Sequence, residues 1–122
     1  MSKNFAAAVL ALLIAAVTAT AAGAESLTFN VQSEYPYAVQ LEFYSQNRDH
    51  AWPGGTEAYE LLDSEVHEYT LACDWAEKIC YGAWVRGDST QYWGVGAHDE
   101  FGCDRCCAVC DGSQTSVYVL DY

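Results

Sequence analysis

Positive charge is almost missing from this sequence. Five lysines and arginines stand against 17 aspartates and glutamates in 122 residues, for a formal charge of −12. A surface with that bias repels nucleic acid and anionic lipid, so roles that grip either are excluded. The acids are scattered rather than blocked, which suits a soluble folded surface and not a disordered acidic tail. The same bias favours a cationic partner or divalent ions. Several other things are absent. No long stretch after the first 24 residues repeats with helical periodicity, and there is no internal repeat and no linker. No nucleophile elbow occurs, the acids do not follow EF-hand ligand spacing, and no Asn-x-Ser/Thr sequon marks an N-glycan site. Nothing commits the chain to one catalytic chemistry, and nothing calls for a cofactor.

What is present begins with an export leader. Lys3 supplies a short positive region, residues 5–17 are uninterruptedly apolar, and Ala22, Gly23 and Ala24 end the segment. This is the three-part build of a secretory signal peptide, with cleavage expected between Ala24 and Glu25. The apolar core is shorter than the roughly 20 residues of a spanning helix, so no membrane span is expected in the mature chain. No twin-arginine pair precedes it, which points to export in the unfolded state. Removing residues 1–24 leaves a single expected domain, residues 25–122, with four basic residues against all 17 acidic ones. A chain this short buries only about 60–65% of its unfolded surface, so its core is marginal on its own.

Six cysteines answer that weakness: Cys73, Cys80, Cys103, Cys106, Cys107 and Cys110. An even count in a short exported chain reads as a disulfide framework. Spacing alone leaves the pairing open. A direct bridge between the neighbours Cys106 and Cys107 is strained. Cys73 and Cys80 either close a hairpin base or each reach across to the cluster at 103–110.

The rest of the chain reads as strands. Leu27, Phe29 and Val31 alternate with polar residues, and so do Val39, Leu41 and Phe43. The break at Pro36 between them suggests a hairpin. Further strand-like segments fall at 59–62, 66–72, 79–85, 91–95 and 116–120, with loops at 46–56 and 102–112. About seven short strands with turn signals between them predict an all-β fold, an antiparallel β-sandwich.

Four features carry chemistry of interest. The run from Cys103 to Cys110 holds two CxxC units back to back. Its cysteines suit structural bridges first, a soft metal second (Cys103, Cys106, Cys107 and Cys110, with His98) and a redox pair third. An aromatic set, Tyr81, Trp84, Tyr92 and Trp93, flanks the turn at 86–89, and Trp52 lies in the preceding loop. Adjacent positions on a strand face opposite ways, so one half of the set packs the core and the other half faces out. Outward Trp and Tyr stack sugars or anchor partner proteins. Arg86-Gly87-Asp88 matches an adhesion tripeptide, yet turn chemistry alone explains it. Finally, His50 follows Asp49, and His98 precedes Asp99 and Glu100. Neighbours on a strand point apart, so neither is a ready catalytic pair, and both read as solvated loop charge. The sequence therefore points to a periplasmic or secreted, non-enzymatic binding module for a protein or carbohydrate. Metal handling and thiol–disulfide redox are the alternatives.

Overall fold

The structure is a computed structural model in which residues 24–122 are described. Apart from Ala24, the expected leader lies outside the described residues. Among the described residues nine strands build two sheets. They are β1 (Ala24–Ser33), β2 (Val39–Ser45), β3 (Ala51–Trp52), β4 (Tyr59–Leu61), β5 (Val66–Asp74), β6 (Lys78–Val85), β7 (Asp88–Gly94), β8 (Cys107–Val109) and β9 (Gln114–Leu120). A 3-10 turn spans Ala97–Asp99. The described residues are all-β, as their alternating pattern predicts.

The first sheet has the order β5-β1-β9. β1 runs antiparallel to β5, with Phe29 opposite Tyr69, and parallel to β9, with Val31 opposite Tyr118. The second sheet is built on the β2–β6 pair, with Phe43 opposite Tyr81. Short strands share its flanks end to end. β4 and β3 lie along β2, and β8 and β7 lie along β6.

The period of two decides how the sheets meet. Leu27, Phe29 and Val31 of β1 and Val39, Leu41 and Phe43 of β2 are all fully or almost fully buried. They face each other across the core, where the Phe29 and Phe43 rings stand 4.6 Å apart. The hairpin expected between these two strands does not form. β1 and β2 belong to different sheets, and residues 34–38 cross from one to the other. Alternation gives two segments an apolar face each, and here the faces stack rather than lie side by side. An aromatic belt completes the core: Tyr59 and Tyr69 at 4.7 Å, Phe43 and Tyr69 at 5.5 Å, and Tyr81 and Tyr118 at 4.9 Å. Burial pushes the Tyr69 and Tyr81 hydroxyls up to about 12.

Two strands arise in segments read as loops. β3 sits within 46–56 and β8 within 102–112. Both are short additions to the flanks of long strands, too short to show a period of their own.

Candidate functional site

Register fixes where each aromatic residue goes. Trp84 of β6 stands opposite Tyr92 of β7 and Gln40 of β2, on the outer face of the second sheet. Its indole N–H donates to Gln40 Oε1 at 3.1 Å, so the half-buried ring is held against the sheet. Tyr81 and Trp93 have the opposite parity and turn inward. Tyr81 is 8% exposed, in the core. Trp52 is equally buried, and its indole N–H donates across the sandwich to the Ala72 carbonyl at 3.1 Å. Arg48 and His50 cover its rim, the guanidinium 5.7 Å and the imidazole 4.5 Å from its rings. Of the five aromatics singled out by sequence, Trp84 and Tyr92 therefore share an outer face, Tyr81 and Trp52 are core, and Trp93 lies half-buried at an edge.

Trp93 leads to a cluster that sequence reading passed over. Tyr35, in the crossover between sheets, is the hub. Its ring centroid lies 5.9 Å from Tyr37, 5.5 Å from Trp93 and 5.6 Å from Tyr122, at interplanar angles of 66°, 72° and 82°. The Trp93 indole N–H donates to the Asp121 carbonyl at 2.6 Å, which brings Tyr122 up to the hub. Pro36 separates the two crossover tyrosines and limits the backbone there. Tyr35 and Trp93 are half-buried, whereas Tyr37 is 71% and Tyr122 86% exposed. The signal in the sequence was the Tyr-Pro-Tyr run, which read only as a break between strands.

The histidine segments come together on the same outer sheet face. The chain after β7 folds back over β6 because Gly82 has no side chain: a Cβ there would collide with the Gly96 carbonyl oxygen and the Tyr44 ring. Gly96, at φ +69°, likewise leaves room for the Phe101 ring, which stacks on Tyr92 at 4.2 Å and 10°. His98 and Asp99 follow in the left-handed region, at φ 62° and 53°, a conformation that costs energy in residues other than glycine. Two hydrogen bonds hold them there. The His98 backbone N–H donates to the Tyr44 hydroxyl at 2.9 Å, and Gln46 Nε2 donates to Asp99 Oδ2 at 3.2 Å. Glu42, Arg48, Asp49, His50 and Gly55 are among the residues that line the rest of an open polar hollow of about 430 Å³. Burial raises the Glu42 carboxyl, against the opposing pull of the Tyr44 hydroxyl and the His98 charge. Burial and the Glu42 charge raise Tyr44 in turn.

Arg86-Gly87-Asp88 is engaged within the protein. Arg86 Nη1 pairs with Glu60 Oε1 at 2.7 Å, Gly87 takes φ +87°, and Asp88 Oδ1 accepts the Thr90 backbone N–H at 3.2 Å. Gly87 and Asp88 lie at the β6–β7 turn, and the Arg86 side chain ties it to β4.

All six cysteines are bridged: Cys73–Cys110, Cys80–Cys107 and Cys103–Cys106. Of the two arrangements open to Cys73 and Cys80, the second is found: each reaches across to the 103–110 cluster. Cys73–Cys110 ties the first sheet to the chain beyond β8. Cys80 and Cys107 are direct partners in the β6–β8 register.

Comparisons with protein-family models, curated proteins and solved structures found no match.

Proposed function

We propose that this protein is an exported, non-enzymatic interaction module that binds a partner protein through the aromatic end of its sandwich. One observation carries the reading: Tyr37 and Tyr122 stand largely in solvent, each braced against the half-buried Tyr35 ring, which Trp93 backs in turn. Large aromatic rings left in water are unfavourable unless something covers them, and braced Tyr and Trp are the commonest anchors of protein interfaces. Rings set steeply to one another make a knobbed surface. A sugar chain stacks best on open, flat ring faces, so the cluster suits protein side chains better than carbohydrate. With four basic residues against 17 acidic ones once the leader is gone, a basic partner surface is the complementary one.

Export is supported by the leader pattern and by three bridges, which persist in oxidising compartments. Among the described residues no helix is long and apolar enough to cross a membrane.

The test is capture, with mild cross-linking, from the extracytoplasmic fraction of the native host. A partner should be retained by the wild type, lost with Tyr37→Ser/Tyr122→Ser and kept with Val117→Ser, exposed midway along β9. The same proteins on all three baits, or none on any, would sink the reading. Binding to a glycan array that is lost in the double variant would instead identify a carbohydrate.

A metal-handling role has one observation behind it. The sulfurs of Cys80, Cys106 and Cys107 lie within 4.8 Å of one another, so a reduced chain would gather three soft thiolates suited to zinc or copper(I). Bridged, they offer none. The mass of the natively exported protein decides between the states, because three bridges lower it by about six hydrogens.

A further inference from the structure

Two of the three bridges lie against each other. Cys106 Sγ is 3.8 Å from Cys107 Sγ, although the two belong to different bridges. The sulfurs of Cys80, Cys106 and Cys107 form one group within 4.8 Å, and Cys73 and Cys110 are not in it. Access is graded. Cys106 is 1% exposed, its bonded partner Cys103 is only partly buried, and the flanking Gly102, Asp104 and Arg105 are in solvent. Thiol–disulfide exchange needs a thiolate that can reach a disulfide sulfur.

We propose that Cys103–Cys106 and Cys80–Cys107 together form a thiol–disulfide exchange site, entered at Cys103 by a small monothiol and continued inward by Cys106. The incoming thiolate attacks Cys103 Sγ. The Cys103–Cys106 bond breaks, and its electron pair leaves on Cys106. The Cys106 thiolate attacks Cys80 Sγ, the Cys80–Cys107 bond breaks, and Cys107 leaves as a thiolate that takes up the proton given by the incoming thiol. Two bridges and one thiol become a mixed disulfide at Cys103, a Cys80–Cys106 bridge and a Cys107 thiol, with no net oxidation or reduction. Attack on Cys107 instead would join chain neighbours in a strained bridge. The exchange has a structural consequence. Cys107 is the register partner of Cys80, so a link to Cys106 moves the attachment of β8 by one residue, and a one-residue slip turns side chains to the opposite face.

Two experiments test this. In Cys103→Ser the Cys106 thiol is left beside the Cys80–Cys107 bridge. Free thiols are trapped with N-ethylmaleimide in mildly acidic denaturant, and the remaining bridges are then reduced and alkylated with iodoacetamide. Trypsin cuts after Arg105, so the first two Edman cycles of the following peptide read Cys106 and Cys107 separately. Roughly a tenth or more of the maleimide is expected on Cys107; label confined to Cys106 overturns the proposal. The second experiment needs no variant, and it holds if Cys103→Ser misfolds. Folded wild type is equilibrated with reduced and oxidised glutathione, and its bridges are mapped. The expected products are glutathione on Cys103 and a Cys80–Cys106 link, with Cys73–Cys110 intact. Unmodified Cys103 with only the original three bridges contradicts it, and so does exchange that opens Cys73–Cys110 equally.

Discussion

At Glu77 a carboxylate sits with its side chain 1% exposed. Burial by itself would raise it. Arg48 opposes that from Nε at 2.6 Å and Nη2 at 3.1 Å, and the Asp74 backbone N–H donates at 2.9 Å. These bonds, with help from Ser45 and the Arg48 charge, win and hold the carboxyl at about 2, against an ordinary 4.5. A depressed carboxyl adds stability that is complete above its unfolded value and is lost as pH falls from about 4.5 towards about 2. Glu77→Gln should therefore cost about 2 kcal/mol near neutral pH. It should also flatten the loss of stability between pH 5 and 2 in denaturant melts; a variant that follows the wild-type acid profile would show that the Arg48 pairing does not stabilise the fold. Such a pair, 29 residues apart in sequence, leaves no local signature. The parity of Tyr81 against Trp84, and of Tyr92 against Trp93, was legible, because a strand's period of two is local. Trp52 was not, since its inward turn depends on the two-residue β3.

Among the elements, the segment after β7 depends most on one position. Gly82 lies beneath Gly96, and the stacked Tyr92–Phe101 pair closes over that contact. Gly82→Ala should lift the segment, costing about 2 kcal/mol, or roughly 10 °C in Tm. It should also free the His98 amide, now held by Tyr44, to faster hydrogen exchange. Unchanged Tm and exchange would mean that the close approach is not needed. The strands themselves were mostly readable, with seven of the nine falling on alternating or apolar runs. Their pairing was not. Alternation states which residues share a face but not which edge meets which, so β1 and β2 suggested a hairpin where the chain instead crosses between sheets. The aromatic hub was missed for the same reason, because Tyr35, Trp93 and Tyr122 meet only once β7 and β9 have found their places.

Across the whole molecule, the cysteines act over very different spans. Loop-closure entropy rises with the length enclosed, so Cys73–Cys110 and Cys80–Cys107, at separations of 37 and 27, should each contribute about 4 kcal/mol. Cys103–Cys106, at a separation of 3, should contribute about 1.5 kcal/mol. Replacing each pair with alanine should lower stability in that order; an equal loss from all three would show that chain entropy is not what they supply. That these cysteines form a disulfide framework was legible, but the partners were not, because six cysteines permit 15 pairings. Charge was legible from the start. If a basic partner meets the acidic surface, association should slow as salt rises from low to physiological strength. The most direct test of binding through the aromatic end is site-specific photo-cross-linking in the native host. A p-benzoyl-phenylalanine in place of Tyr37 or Tyr122 should give a discrete adduct with one protein, and the same probe at Glu68, exposed on the first sheet, should give none. Adducts at Glu68 with none at Tyr37 or Tyr122 would contradict it.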